Sequence, residues 1–159
     1  MLVLSAERDR AWRLALALCG VVVALDQATK AIVQHNLVPA ERVSALPGLH
    51  FTNVHNKGVA FGLAGGGGGG LVVVTAIALG LILLLFARNA ERPGIWVAVG
   101  LLAGGALGNL ADRVRIDSVT DFIDLPLWPA FNVADIAIVL GVAGLAFVFM
   151  EEPAAQESG

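Results

Sequence analysis

Two aspartates set the chemical question. Asp121 stands in the segment VTDFID and Asp135 in FNVADIAIVLG, 14 positions apart and each among apolar residues. Carboxyl groups held within about 3 Å of one another cannot both ionise, so they share a proton; one can then activate water while the other protonates a scissile carbonyl. The same groups would also serve a proton relay or a cation site, and the carboxylates alone, with Asp124 nearby, do not choose among these. Asn109, Asp112 and Arg113 follow directly on a glycine-rich apolar run, and Asn132 precedes Asp135 by three positions. Amides and carboxylates therefore gather at one level of the molecule. Asp26 and Lys30 are spaced i, i+4 with the acid first, the better order for a helical ion pair. They read either as a structural pair or as a group orienting the site from one side.

Other chemistries find less support. His35, His50 and His55 all lie in one loop, at spacings that match no metal-binding helix motif. Ser5, Ser44, Ser118 and Ser158 stand outside the apolar stretches and outside any nucleophile elbow. The single cysteine, Cys19, allows no internal disulfide and no cysteine-based zinc cluster. It follows Leu18 where a lipoprotein attachment site would need a small residue, and reads as an ordinary buried cysteine. Neither a metal nor a cofactor is expected.

The elements that must position these groups are four apolar spans, at about 12–33, 68–86, 95–110 and 131–150. Apolar residues make up 57% of the 159 and charged residues 14%, and mean hydropathy is +0.80. Such a chain cannot cover its own surface with polar groups. Disorder is excluded for the same reason, and a net charge of -3 argues against nucleic acid as a partner. About 20 residues of helix cross a hydrocarbon core of roughly 30 Å, and helices satisfy their own backbone there. The fold class is thus mainly α: a polytopic four-helix membrane bundle in one membrane-embedded domain, 1–159. The run from Leu71 to Phe86 has 16 residues, about 24 Å of helix, so part of the preceding glycine-rich segment is expected to extend it. Gly65–Gly70 itself reads as a flexible linker. Arg8, Arg10 and Arg13 precede the first span as in a secretory signal, but no small-x-small cleavage site follows, so the span is read as retained.

Loops at about 34–67 and 111–130 are placed outside the cytoplasm. In the first, ERVSAL and LHFTNV flank Pro47-Gly48, a pair suited to the centre of a type II turn, which predicts a small β-hairpin. Span three carries Gly100, Gly104 and Gly108 with Gly105 beside them, a doubled small-residue face that lets another helix approach closely. With the N-terminus inside, lysines and arginines divide five against five across the membrane. Arg88 and Arg92, in the tight loop between spans two and three, favour that orientation with both termini cytoplasmic.

Taken in order, LDQATK (Leu25–Lys30), NKGVAFG (Asn56–Gly62), GALGNLADR (Gly105–Arg113), VTDFID (Val119–Asp124) and FNVAD (Phe131–Asp135) closely resemble lipoprotein signal peptidase, the signal peptidase II family of bacterial membrane aspartic endopeptidases. The resemblance runs from span one through span four, and leaves out the glycine run and the tail Glu151–Gly159. It implies that Asp121 and Asp135 are the catalytic pair. It implies that Asn109 and Arg113 hold the substrate backbone or stabilise the site, and that Asn132 supports the pair. Asp26, Lys30, Asn56, Gly58 and Asp112 match motif positions with structural or supporting roles. The implied reaction removes the signal peptide of a prolipoprotein on the N-terminal side of a cysteine bearing diacylglycerol, at the outer face of the cytoplasmic membrane. The partners implied are that lipidated substrate and membrane lipid, with the enzyme acting as a monomer. A transporter or proton channel would need ionisable groups through the depth of the bilayer, and the inner halves of spans two, three and four carry none. A scaffold without chemistry leaves the cost of Asp121 and Asp135 unexplained.

Overall fold

The structure, a computed structural model, describes residues 2–58 and 69–150. The linker expected at Gly65–Gly70 lies outside the described residues as far as position 68. Four helices and three strands follow in the order α1 (Leu2–Asn36), β1 (Arg42–Leu46), β2 (Leu49–Asn56), α2 (Gly69–Asn89), α3 (Ile95–Ile116), β3 (Val119–Asp124) and α4 (Val133–Met150). All four helices contain a stretch long and apolar enough to cross a membrane. At 35 residues α1 reaches about 52 Å, longer than the hydrocarbon core, so it extends past it.

The central helix is α3, which packs against α1, α2 and α4. Of its most apolar stretch 61% is buried, against 22% or less in the other three. Glycine makes this possible. A Cβ at Gly100 would stand 3.0 Å from the Ala15 carbonyl, and one at Gly104 2.6 Å from Val22. Gly105 instead faces the Ala134 carbonyl and Ile138, while Gly141 of α4 faces back onto Leu102 and the Ala98 carbonyl. One glycine row thus admits α1 and the neighbouring position admits α4. Beneath them, Phe86, Ile95 and Val99 close the core with Ala11, Ala15 and Ala90.

Helix α3 continues beyond position 110, so Asp112 and Arg113, expected in the loop 111–130, lie on the same helix as Asn109. The segment contains neither proline nor glycine after Gly108 to stop it. It ends at Asp117, whose left-handed backbone (φ 56) lets its N–H reach the Arg113 carbonyl.

The predicted hairpin forms as β1 and β2, with Gly48 at φ 81 in its turn. It is not alone. Strand β3, from the segment between α3 and α4, pairs antiparallel with β2, matching Val54 with Asp121 and Asn56 with Val119. The sheet order is β1-β2-β3, so the segment after α1 and the segment after α3 are fastened together.

Candidate active site

Asp121 and Asp135 come into electrostatic reach of one another because the chain between them doubles back through backbone hydrogen bonds. Phe131 donates to the Ile123 carbonyl at 3.0 Å, and its own carbonyl accepts from Ile123 at 2.8 Å and Phe122 at 3.0 Å. This closes the 124–130 loop, which holds Pro126 and Pro129, and sets Asn132 beside Asp121. Asn132 also starts α4: its Oδ1 accepts from the Asp135 N–H at 3.0 Å, while Asp135 Oδ2 accepts from the Asn132 N–H at 3.2 Å. That reciprocal cap satisfies two helix-end donors and fixes the Asp135 side chain.

Amides then link the two carboxyls. Asn132 Nδ2 donates to Asp121 Oδ1 at 2.7 Å and lies 3.2 Å from Asn109 Oδ1. Asn109 Nδ2 donates to Asp135 Oδ1 at 2.8 Å. From the other side Asn56 Nδ2 donates to Asp121 Oδ2 at 2.9 Å, and Asn56 Oδ1 accepts from the Gly58 N–H. Gly58 has φ 69, a conformation that glycine takes without strain.

Below this row sits a buried ion cluster. Lys30 Nζ contacts Asp26 Oδ2 at 2.8 Å, Asp112 Oδ2 at 3.0 Å and Asn109 Oδ1 at 2.9 Å. An ammonium has three N–H groups, and each has an acceptor. The carboxylates are tied in turn: Asp26 Oδ1 accepts from the Ala134 N–H of α4, and Asp112 Oδ2 from the Thr120 N–H of β3, both at 3.1 Å. Gln27 Nε2 lies 3.1 Å from Asp26, from Asp112 and from the Gly108 carbonyl. Arg115 caps the cluster from outside, against Asp112 and Gln27 Oε1. Buried charges cost several kcal/mol each unless paired and hydrogen-bonded, and here they are both.

Asp121 is 3% exposed. Burial, with the Asp135 charge adding to it, pushes its carboxyl up from 3.8 to about 6, against the hydrogen bonds from Asn56 and Asn132 and the Lys30 charge. A carboxyl that holds a proton close to neutral pH beside a second carboxyl suits general acid–base chemistry. Two hollows reach the pair. A polar opening of about 400 Å³ borders Asp121 and is lined by Asn56, Lys57 and Pro129. An apolar groove of about 260 Å³ starts at Asp135 and descends α4 past Ile136, Val139 and Leu140 under Trp128. Among the described residues, no three histidine, cysteine, aspartate or glutamate side chains are grouped to hold a metal ion.

The profile of the Signal peptidase (SPase) II family matches residues 18–151. The chain belongs to that family. It is therefore a peptidase and a multi-pass bacterial membrane protein. It is 41% identical over 135 residues to a lipoprotein signal peptidase of Pelotomaculum thermopropionicum, covering 84% of this chain and 89% of that one. With the lipoprotein signal peptidase of Moorella thermoacetica it shares 42% over 129 residues, 80% of this chain and 86% of the relative. A bacterial membrane enzyme solved by the in meso method at 1.9 Å superposes with a TM-score of 0.80 and 30% identity, over 87% of this chain and 94% of that one.

Within this signal peptidase II fold, Asp121, Asp135, Asn109, Asn132 and Asn56 form one hydrogen-bonded row. Asp26, Lys30 and Asp112 form the cluster beneath, joined to the row through Asn109. Arg113 stands at the edge, half-buried, with its Nη1 3.4 Å from the Asn109 carbonyl and within electrostatic reach of Asp135 and Asp121. Asp124 is not part of the site; it pairs with Arg42 on the sheet at 2.5 Å. Contributors that went unread in the sequence include Gln27, Thr120 and Arg115. Gln27, Lys30 and Gln34 share one face of α1 at helical spacing, a polar stripe that could have flagged Gln27, and Gln34 itself donates to Thr120 Oγ1 at 2.6 Å.

Proposed function

We propose that this protein is an intramembrane aspartic endopeptidase that removes signal peptides from diacylglyceryl-modified prolipoproteins, cutting on the N-terminal side of the lipidated cysteine. The observation that carries the reading is the amide-linked Asp121/Asp135 pair, bordered by a polar opening on one side and an apolar groove on the other. Asp121 carries the proton and Asp135 takes one from the attacking water. The resulting hydroxyl adds to the scissile carbonyl as Asp121 protonates the developing oxyanion. Collapse returns that proton to Asp121, and Asp135 delivers its own to the departing cysteine amine. Asn109 and Arg113 hold the substrate backbone; Asn132, Asn56 and the Lys30 cluster keep both carboxyls in place. The enzyme works as a monomer at the outer face of the cytoplasmic membrane, with both termini inside and no metal or cofactor.

The relatives' names, lipoprotein signal peptidase, support the substrate class. The test is release of the signal peptide from a purified precursor with and without its diacylglyceryl group. The lipidated form is expected to be cut, and the bare form far more slowly; equal rates would refute the assigned selectivity.

A further inference from the structure

Two hollows border the carboxyl pair, and their linings differ in kind. The groove along α4 is walled by apolar side chains. The opening beside Asp121 is lined instead by His55, Asn56 and Lys57, together with Val54, Pro129 and Ala130. Asn56 is committed to Asp121, to which it donates. Lys57 has no part in the hydrogen-bonded row. It is exposed and makes no ion pair with a described residue, whereas Lys30, Arg42 and Arg115 all do. The neighbouring sequence offers it no partner either, because no acidic residue occurs between Glu41 and Glu91. Among the described lining residues Asp121 is the only acid, and in the proposed reaction it carries a proton. The rim of the opening therefore bears a positive charge that nothing in its lining offsets.

We infer that this opening receives the residues that directly follow the lipidated cysteine, and that Lys57 makes it select acidic over basic side chains there. This rests on the proposed function. In that reaction the chain before the scissile bond is an apolar signal helix, and the chain after it is the start of a polar mature protein. Polar backbone and side chains are costly to leave in an apolar groove, so the mature side leaves the pair through the polar opening. At about 3.3–3.6 Å per residue, the second and third mature residues lie roughly 6–10 Å beyond the bond. Lys57 is held within that range of Asp121. The residue before it, Asn56, is tied to Asp121 Oδ2 at 2.9 Å, and the residue after it, Gly58, donates its N–H to Asn56 Oδ1 at 2.8 Å. The base of Lys57 is thus pinned from both sides, while its flexible four-carbon stem carries a compact charge to a passing side chain. The sign of the selection follows from that charge. Its size follows from exposure, since a solvated ion pair changes an equilibrium by about fivefold or less.

The experiment compares three diacylglyceryl-modified precursors that differ only at the second and third mature residues, which are Asp-Asp, Ser-Ser or Lys-Lys. They are presented in nanodiscs of zwitterionic lipid, so that the bilayer itself attracts none of them by charge, and the readout is the ratio of kcat/KM for Asp-Asp over Lys-Lys. Because both rates come from one preparation, the ratio does not depend on how much of a variant is folded. The wild type should favour Asp-Asp by about fivefold, with Ser-Ser between, and the preference should shrink as salt is raised. Lys57→Gln should bring the ratio towards one, and Lys57→Glu should carry it below one. Arg42→Gln, which removes an exposed cation of the same sheet that is already paired with Asp124, should leave the ratio alone. A wild-type ratio near one overturns the inference, as does a Lys57→Glu enzyme that keeps the wild-type ratio. A wild type that cuts all three precursors equally loses the inference but keeps the proposed function. One that cuts none of them removes both.

Discussion

At the residue scale, Asn132 does three jobs from one position: it caps α4, orients Asp135 and donates to Asp121. The two carboxyls are thereby held by groups that cannot exchange their proton for them. Asp121→Asn and Asp135→Asn should each lower signal-peptide release by about three orders of magnitude or more, with thermal melting in detergent showing the variants still folded. Asp124→Asn should be mild, because its carboxylate is tied to exposed Arg42, a pair of the kind worth about 1 kcal/mol or less. If protonated Asp121 is the working form, cleavage should fall as pH rises through about 6. Asn56 stabilises the ionised carboxylate, so Asn56→Ala should move that limb of the pH profile to higher pH; a shift downward would contradict the assignment. The acids and amides were legible because polar groups in apolar surroundings stand out. Thr120 was not, since it contributes a backbone N–H to Asp112, and no side-chain type announces that.

At the element scale, α3 is the strut on which the site hangs, and its glycines determine how closely its neighbours approach. Their spacing predicted close packing but not which row faces which helix. That division follows from three-dimensional placement: Gly104 meets Val22 of α1, and Gly105 meets Ala134 and Ile138 of α4. Gly105→Val would push the start of α4, with Asn132 and Asp135, away from Asn109. We expect a loss of roughly 1–3 kcal/mol of stability from overpacking and a larger proportional loss of cleavage, measured by melting and by signal-peptide release on one preparation. The hairpin was legible from Pro47-Gly48. Strand β3 was not: its partner Val54 is 67 positions from Asp121, and two of its six residues are acidic, which masked Val119, Thr120 and Ile123 as strand formers.

At the scale of the whole molecule, the four apolar stretches gave the bundle directly, whereas orientation was balanced on charge. In the structure three of the cations assigned outside, Lys30, Arg42 and Arg115, are engaged by carboxylates. This supports placing the sheet and the carboxyl pair outside and both termini in the cytoplasm. A reporter fused after Glu151 should be active on the cytoplasmic side; activity confined to the outer side would reverse the arrangement. Cleavage should also survive EDTA, and loss restored by zinc would bring the histidines back into consideration. The ion cluster under the site bears on how the protein is born. Of the acceptors around Lys30, Asp26 alone exists when α1 leaves the ribosome; Asn109 and Asp112 follow some 80 residues later. Until then α1 carries an ammonium short of partners, a poor passenger for hydrocarbon. Its release from the insertion machinery into the bilayer should therefore wait for α3, so the framework that holds the carboxyl pair also times the insertion of the first span.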